Sequence, residues 1–354
     1  MVLATLPFVM TRNHCDCAVS QISSNGDSML RQEDAGACGP SERMTPRPLS
    51  DAVREGLTQP DRPMPQILYI MGTGRSGTTI LEVLLANNPG VAGVGEFKHI
   101  FRHGFIHNRI CSCGKPADVC DVWSRVFQQT GWNDEDCEKL ARLVDQIERH
   151  ANFLPLWLGV YDKRQMDSYR ATHEALFKAV ALNARAAVIV DSSKYQSRGL
   201  ALSKLFPGKV KVLFITRSAK TLIEAFQKTD EKDQIRTKSA VGTTVYFLYV
   251  LFCMWLVRLQ LKQDCLAVRF EDLKRDPSSV LGTIEAWSGI SMGSARRKLE
   301  TGEFFEVGHI ISGNRLRKNR VIKFDVNPAE ASPPGSMRLS VAGALETVRN
   351  FLKF

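Results

Sequence analysis

Apolar positions gather into short runs separated by segments of helical spacing, starting at Gln66. QILYIM (66–71) is a run of strand formers that leads directly into a glycine-rich turn, GTGRSGTT (72–79). ILEVLLANNPG then has helical spacing and a Pro-Gly stop. The same sequence of elements recurs three times. AAVIVD (186–191) precedes the helical SRGLALSKLF, KVKVLFIT (209–216) precedes AKTLIEAFQK, and CLAVRF (265–270) precedes EDLKRDP and a further helix. Strands that alternate with helices need crossover connections, which predicts an α/β fold with a central, mostly parallel sheet. The stretch 97–185 is helical in texture and reads as an insertion between the first and second core strands.

Residues 1–64 lack periodicity and are rich in Ser, Gly, Asp, Pro and Arg, so they read as a disordered leader. A single domain is expected over 65–354. The opening MVLATLPFVM has no basic region and no small-residue cleavage site, so no signal peptide is expected. Acidic Asp27, Glu33 and Asp34 argue against a transit peptide. Residues 240–257 carry no charge, and their length alone would permit a membrane span. Strand-forming runs of the same sheet lie on both sides of that segment, so a buried helix is expected and no transmembrane span.

Charge narrows the choice of partners. The net charge is +10, spread without a Lys/Arg block, which favours small anions over nucleic acid. Nine cysteines at low density do not make a disulfide scaffold. A reducing compartment, the cytoplasm, is the expectation.

The glycine-rich turn carries the chemistry. A Gly-rich junction between strand and helix presents backbone N–H groups and a helix N-terminus to an anion. Gly72 and Gly77 match the Walker frame, but Thr78 stands where the Walker lysine belongs, followed by Thr79. That lysine serves β and γ phosphates, so its absence argues against a nucleoside triphosphate and its Mg²⁺. Arg75 places a permanent cation inside the loop instead, suited to bidentate anion binding. The fold expectation becomes a P-loop NTPase-like three-layer sandwich.

These residues resemble the sulfotransferase superfamily, whose 5′-phosphosulfate loop reads much like GRSGTT. The likeness is to the branch that includes tyrosylprotein and many bacterial sulfotransferases, where a Glu follows the loop, here Glu96. It spans roughly residues 66–330 and is specific at a few short motifs. The resemblance implies 3′-phosphoadenosine 5′-phosphosulfate (PAPS) as cosubstrate, bound by Gly74, Arg75, Ser76, Gly77, Thr78 and Thr79. It also implies a 3′-phosphate grip from Arg217 in FITRSAKTLIEAFQK. The family's partner serine, eight residues on, is replaced by Ala225. VDSSKYQSR is similar to a D-x-S-K segment of bacterial members, which would bring Ser193 and Lys194 to the sulfuryl group or its phosphate. VRFEDLKRDP is similar to a structural segment, with Glu271 and Asp272 near a helix start. GHIISGNRLRKNR (308–320) resembles the loop that closes over the nucleotide, with Arg317, and secondarily Arg315, as contacts.

Transfer to an acceptor hydroxyl needs a base, and Glu96 is the candidate, at the end of the apolar run VAGVG and so at a strand end beside the loop. His99 is the alternative. Catalysis is assigned to Glu96, Arg75 and Lys194. Cys111, Cys113 and Cys120 in CSCGKPADVC, with Trp123 behind them, are similar to a run in bacterial members. Their spacing differs from the usual zinc pattern, so packing or a labile disulfide is favoured over zinc and no metal is expected. The acceptor, whether glycan, lipid, small molecule or peptide, cannot be read. A P-loop kinase, with Asp191 as its one Walker-B-like feature, and a non-catalytic nucleotide or glycan binder are the competing readings.

Overall fold

The structure, a computed structural model, describes residues 63–219, 221–222 and 240–326. The expected leader, Ala225 and most of the predicted helix AKTLIEAFQK lie outside the described residues.

Five parallel strands form the central sheet. They are β1 (Gln66–Gly72), β2 (Val91–Gly93), β3 (Val188–Lys194), β4 (Val210–Thr216) and β5 (Cys265–Arg269), in the order β2-β3-β1-β4-β5. The central strand β1 pairs with β3 from Gln66 opposite Val188, and with β4 from Ile67 opposite Val210. Parallel strands covered on both faces read as continuous apolar runs, which is why QILYIM and KVKVLFIT stand out in the sequence. Ile67, Tyr69 and Met71 face one apolar core, and Leu68 and Ile70 face the other.

The core of Leu68 and Ile70 is closed by α1 (Thr78–Ala86) and, after β5, by α8 (Phe270–Arg275), α9 (Pro277–Ser288) and α10 (Gly293–Thr301). The opposite core is closed by α6 (Gln196–Leu205), α7 (Ala240–Leu261) and helices from 97–185. These last are α2 (Trp123–Thr130), α3 (Asp134–Ile147), α4 (Phe153–Leu158) and α5 (Lys163–Asn183). Helix–sheet–helix layering results, the three-layer α/β fold that the alternation of patterns predicts. A short hairpin, β6 (Phe305–Glu306) with β7 (Val321–Ile322), brackets the late basic loop.

Helix α7 is long and apolar enough to cross a membrane by length and composition. Strands β4 and β5, which precede and follow it, pair directly with each other in the sheet. Phe247, Val250, Leu251, Met254 and Val257 are buried, while Val245, Leu248, Phe252 and Leu259 face outward.

The insertion is tied to the sheet through a buried charge network. The Arg198 side chain is wholly inaccessible to solvent. Its Nε donates to Asp191 Oδ2 at 2.9 Å, and Nη1 donates to Glu148 Oε1 at 2.5 Å. Tyr169 donates to the same Glu148 oxygen, and Lys98 Nζ lies 3.5 Å from the other. His173 Nδ1 faces the Tyr169 carbonyl at 2.9 Å, so Nε2 is left to accept from Arg198 Nη1 at 3.0 Å. Burial and the neighbouring guanidinium push the His173 imidazole down to about 3, so the ring stays neutral. Two cations therefore meet two carboxylates, drawn from α6, β3, the end of α3 and the segment after β2. A buried charge stripped of its partner has no solvent to turn to. Arg198→Met is expected to cost about 3–5 kcal/mol in denaturant-induced unfolding. A loss below about 1 kcal/mol would mean the network does not hold the insertion in place.

Candidate active site

The site lies along the carboxyl edge of the sheet, where parallel α/β folds place their ligands. Residues 73–77 connect the end of β1 to the start of α1. Ser76 Oγ donates to the Thr73 carbonyl at 2.7 Å, closing the turn from inside. Gly77 adopts a left-handed conformation (φ +92°), and a Cβ there would lie 2.2 Å from the Phe270 ring, so no larger residue fits. Arg75 is also left-handed (φ +64°), an unfavourable state for a residue with a side chain. Thr78 and Thr79 occupy the buried first turn of α1. Arg217, one residue past β4, donates from Nη1 to the Arg75 carbonyl at 3.1 Å and stacks over Phe270 at 4.8 Å. The Gly74 N–H faces the Tyr246 hydroxyl at 3.3 Å.

Three buried polar atoms around this turn have no hydrogen-bond partner among the described residues: Thr73 Oγ1, Thr216 Oγ1 and Arg217 Nε. Buried donors are almost always satisfied, so a cationic turn with orphaned donors fits an anionic ligand.

Across the edge, Glu96 and Lys194 form an ion pair. Lys194 ends β3 and is left-handed (φ +72°). A register shift between Tyr69 and Met71 sets Met71 opposite Lys194, so β3 carries an extra residue just before it. Such a bulge re-aims the side chain that follows. Glu96 comes three residues after β2. Its N–H donates to the Ser312 carbonyl at 2.8 Å, and the second carboxylate oxygen lies 3.8 Å from His99 Nε2. Burial holds the His99 imidazole below its ordinary value, against the pull of Glu96.

A family model described as "Sulfotransferase family" matches residues 65–293, about two thirds of the chain. The chain belongs to the sulfotransferase family. Among curated proteins none matches. Several solved structures are similar. The sulfotransferase domain of the curacin biosynthetic pathway is 12% identical with a TM-score of 0.47, over 83% of this chain and 99% of that one. The sulfotransferase domain of the Synechococcus PCC 7002 olefin synthase is 18% identical with a TM-score of 0.44, over 82% and 96%. Sulfotransferase STF9 from Mycobacterium avium is 14% identical with a TM-score of 0.42, over 68% and 69%. Membership rests on the family model, and likenesses this distant add nothing to it.

The other expected residues of this sulfotransferase are placed as follows. Arg317 donates from Nη1 to the Ile110 carbonyl at 3.0 Å, on the loop of the clustered cysteines. Arg315 is exposed in the same short helical turn. Ser193 does not turn toward the glycine-rich loop. Its Oγ donates to Asp191 Oδ1 at 2.5 Å and accepts from the Lys98 N–H at 3.0 Å, because residues 191 and 193 share the face of β3 that meets Arg198. Glu271 accepts from the Ser218 N–H at 2.7 Å, a structural role next to Arg217. Asp191, the one Walker-B-like residue, is held by Arg198.

Glu82 escapes sequence reasoning, since in TTILEVLLA it passes for a helix-surface carboxylate. It is wholly buried, accepting from the Gly95 N–H at 2.5 Å and the Ser192 hydroxyl at 2.6 Å. Gly95 is left-handed (φ +69°), and a Cβ there would meet the Ser312 carbonyl at 2.4 Å. Glu82 thus positions the residue before Glu96. Burial pushes its carboxyl from an ordinary 4.5 up to about 8. Between those values the folded chain holds a proton that the unfolded chain releases, so stability falls as pH rises through that window. Stability of wild type and Glu82→Gln, measured by denaturant unfolding from pH 5 to pH 8.5, tests this. The wild type should lose on the order of 1–3 kcal/mol more than the variant. Parallel curves would show that Glu82 does not titrate there.

Proposed function

We propose that this sulfotransferase moves the sulfuryl group of PAPS to a hydroxyl of an acceptor, with Glu96 as general base. PAPS supplies the sulfuryl group on a phosphate leaving group. The observation that carries the reading is the pairing of two features on one sheet edge: an anion loop with arginine in place of the Walker lysine, and a Glu96–Lys194 pair beside it.

Sulfuryl transfer asks for positioning and charge stabilisation more than for covalent help from the protein. Backbone N–H groups of residues 74–79 and the N-terminus of α1 hold the 5′-phosphate end. Arg75 stabilises charge on the departing phosphate. Arg217 binds the 3′-phosphate, with its unpartnered Nε available for that contact. Lys194 directs its ammonium toward the sulfuryl oxygens and orients Glu96, which takes the acceptor proton. Arg317 covers the nucleotide from the late loop. No metal is required for this chemistry.

A kinase reading finds less support. Thr78 stands in for the lysine, and Asp191 is occupied by Arg198. The acceptor is a glycan, lipid, small molecule or peptide hydroxyl, not nucleic acid. A ring cluster beside the loop, with His150 stacked on Tyr195 at 5.1 Å and edge-on to Tyr246 and Tyr249, borders the space it would enter. The proposed setting is the cytoplasm without a membrane span. The direct β4–β5 pairing on either side of α7 supports the absence of a span.

Transfer of radiolabelled sulfate from PAPS to a panel of hydroxylated acceptors tests the base. Glu96→Gln should lower turnover about 100-fold or more. Turnover within a few-fold of wild type would remove Glu96 from the chemistry.

A further inference from the structure

We infer that Cys111, Cys113, Cys120 and His309 form a zinc site that fastens the cysteine loop to the late basic segment. One ligand atom from each of the four lies within 4.8 Å of the others. Cys120 Sγ is 3.7 Å from Cys111 Sγ, 3.7 Å from Cys113 Sγ and 3.2 Å from His309 Nδ1. Cys111 Sγ is 4.0 Å from the same nitrogen. A tetrahedral zinc with Zn–S near 2.3 Å and Zn–N near 2.0–2.1 Å separates its sulfurs by about 3.8 Å and sulfur from nitrogen by about 3.5 Å. The four atoms therefore stand at the corners of a site of zinc's size. The sulfur separations are far beyond the roughly 2.05 Å of a disulfide.

The sequence expectation of packing or a disulfide rested on the spacing of the three cysteines, which does not fit the common zinc patterns, with only His103 and His107 upstream as histidines in view. The fourth ligand lies 189 positions after Cys120, and only the fold delivers it. Three thiolates and one imidazole favour zinc among common divalent ions, since calcium, magnesium and manganese prefer oxygen. On binding, the three thiols release their protons to solvent, and Zn²⁺ with three thiolates and a neutral imidazole leaves one net negative charge. The Arg320 guanidinium packs over Gly114 within the same loop.

The surroundings brace the ligands. Trp123 Nε1 donates to the His309 carbonyl at 2.7 Å. The Ser112 N–H donates to the Ile310 carbonyl at 2.9 Å, and its Oγ donates to the Gly308 carbonyl at 2.7 Å. Beyond His309 the chain reaches Ser312, whose carbonyl accepts from the Glu96 N–H, and then Arg317, bonded to Ile110. A zinc here would fix both walls of the loop that presses on Glu96. The site takes no part in sulfuryl transfer, so it stands independently of the PAPS reading.

The test is elemental analysis of purified, tag-free full-length protein after dialysis in metal-free buffer. About one zinc per chain is expected. Cys120→Ser and His309→Ala should each fall below about 0.2 zinc per chain, while His309→Cys should retain it as a four-cysteine site. Cobalt exchanged for zinc should give the visible absorption bands of tetrahedral thiolate coordination. Hydrogen exchange across 305–322 should rise when a chelator removes the metal. The wild-type content decides the matter even if a variant fails to fold. Below about 0.2 zinc per chain, with no uptake by the reduced protein from micromolar zinc, the inference is overturned. Iron or copper in the four-residue site, or a disulfide among the three cysteines, overturns it equally.

Discussion

A guanidinium with no access to water is the constraint around which much of this molecule is arranged. Arg198 needs its charge answered on the spot, and the groups that answer it come from distant parts of the chain. Asp191 belongs to β3, Glu148 follows α3, Tyr169 and His173 sit on α5, and Lys98 follows Glu96. Satisfying one side chain therefore docks the helical insertion on the sheet and sets the path of the segment that carries Glu96. The same network occupies Asp191 and Ser193, which leaves Lys194 as the residue of that strand end free to turn toward the carboxyl edge.

That edge holds two cations in left-handed backbone, Arg75 in the loop and Lys194 after the bulge in β3. Side-chain-bearing residues adopt this conformation at some cost, and the surrounding structure has to hold them there. Arg75 is held by the bond from Arg217 to its carbonyl, and Lys194 by its pair with Glu96. Behind Glu96, the buried Glu82 grips Gly95 and the late segment grips Glu96 through Ser312. These charged groups thus rest on contacts from α1, β3 and the 308–318 loop, which makes their geometry a property of the whole fold.

How much of this the sequence discloses follows from the range of each interaction. The strands and the glycine-rich loop are local: apolar runs, glycines and an arginine at adjacent positions name themselves. Glu96 and Lys194 are legible through motif likeness, although nothing in the sequence shows that they pair. Glu82 is illegible because an acidic residue in a nine-residue helix looks solvent-facing until β2 and β3 cover it. Ser193 reads as a ligand contact because the facing of a strand residue depends on where Arg198 lies. His309 has no local signal at all, since its partners are nearly two hundred residues away in sequence.

The central claim is that the loop and Arg217 bind a nucleotide carrying both 3′ and 5′ phosphates. Isothermal titration with 3′,5′-adenosine bisphosphate, with ATP and Mg²⁺ as comparison, addresses it directly. The account predicts micromolar binding of the bisphosphate, weakened about tenfold or more by Arg217→Ala, and little affinity for ATP. Binding of ATP with Mg²⁺ and not of the bisphosphate would contradict it and move the site to phosphoryl transfer.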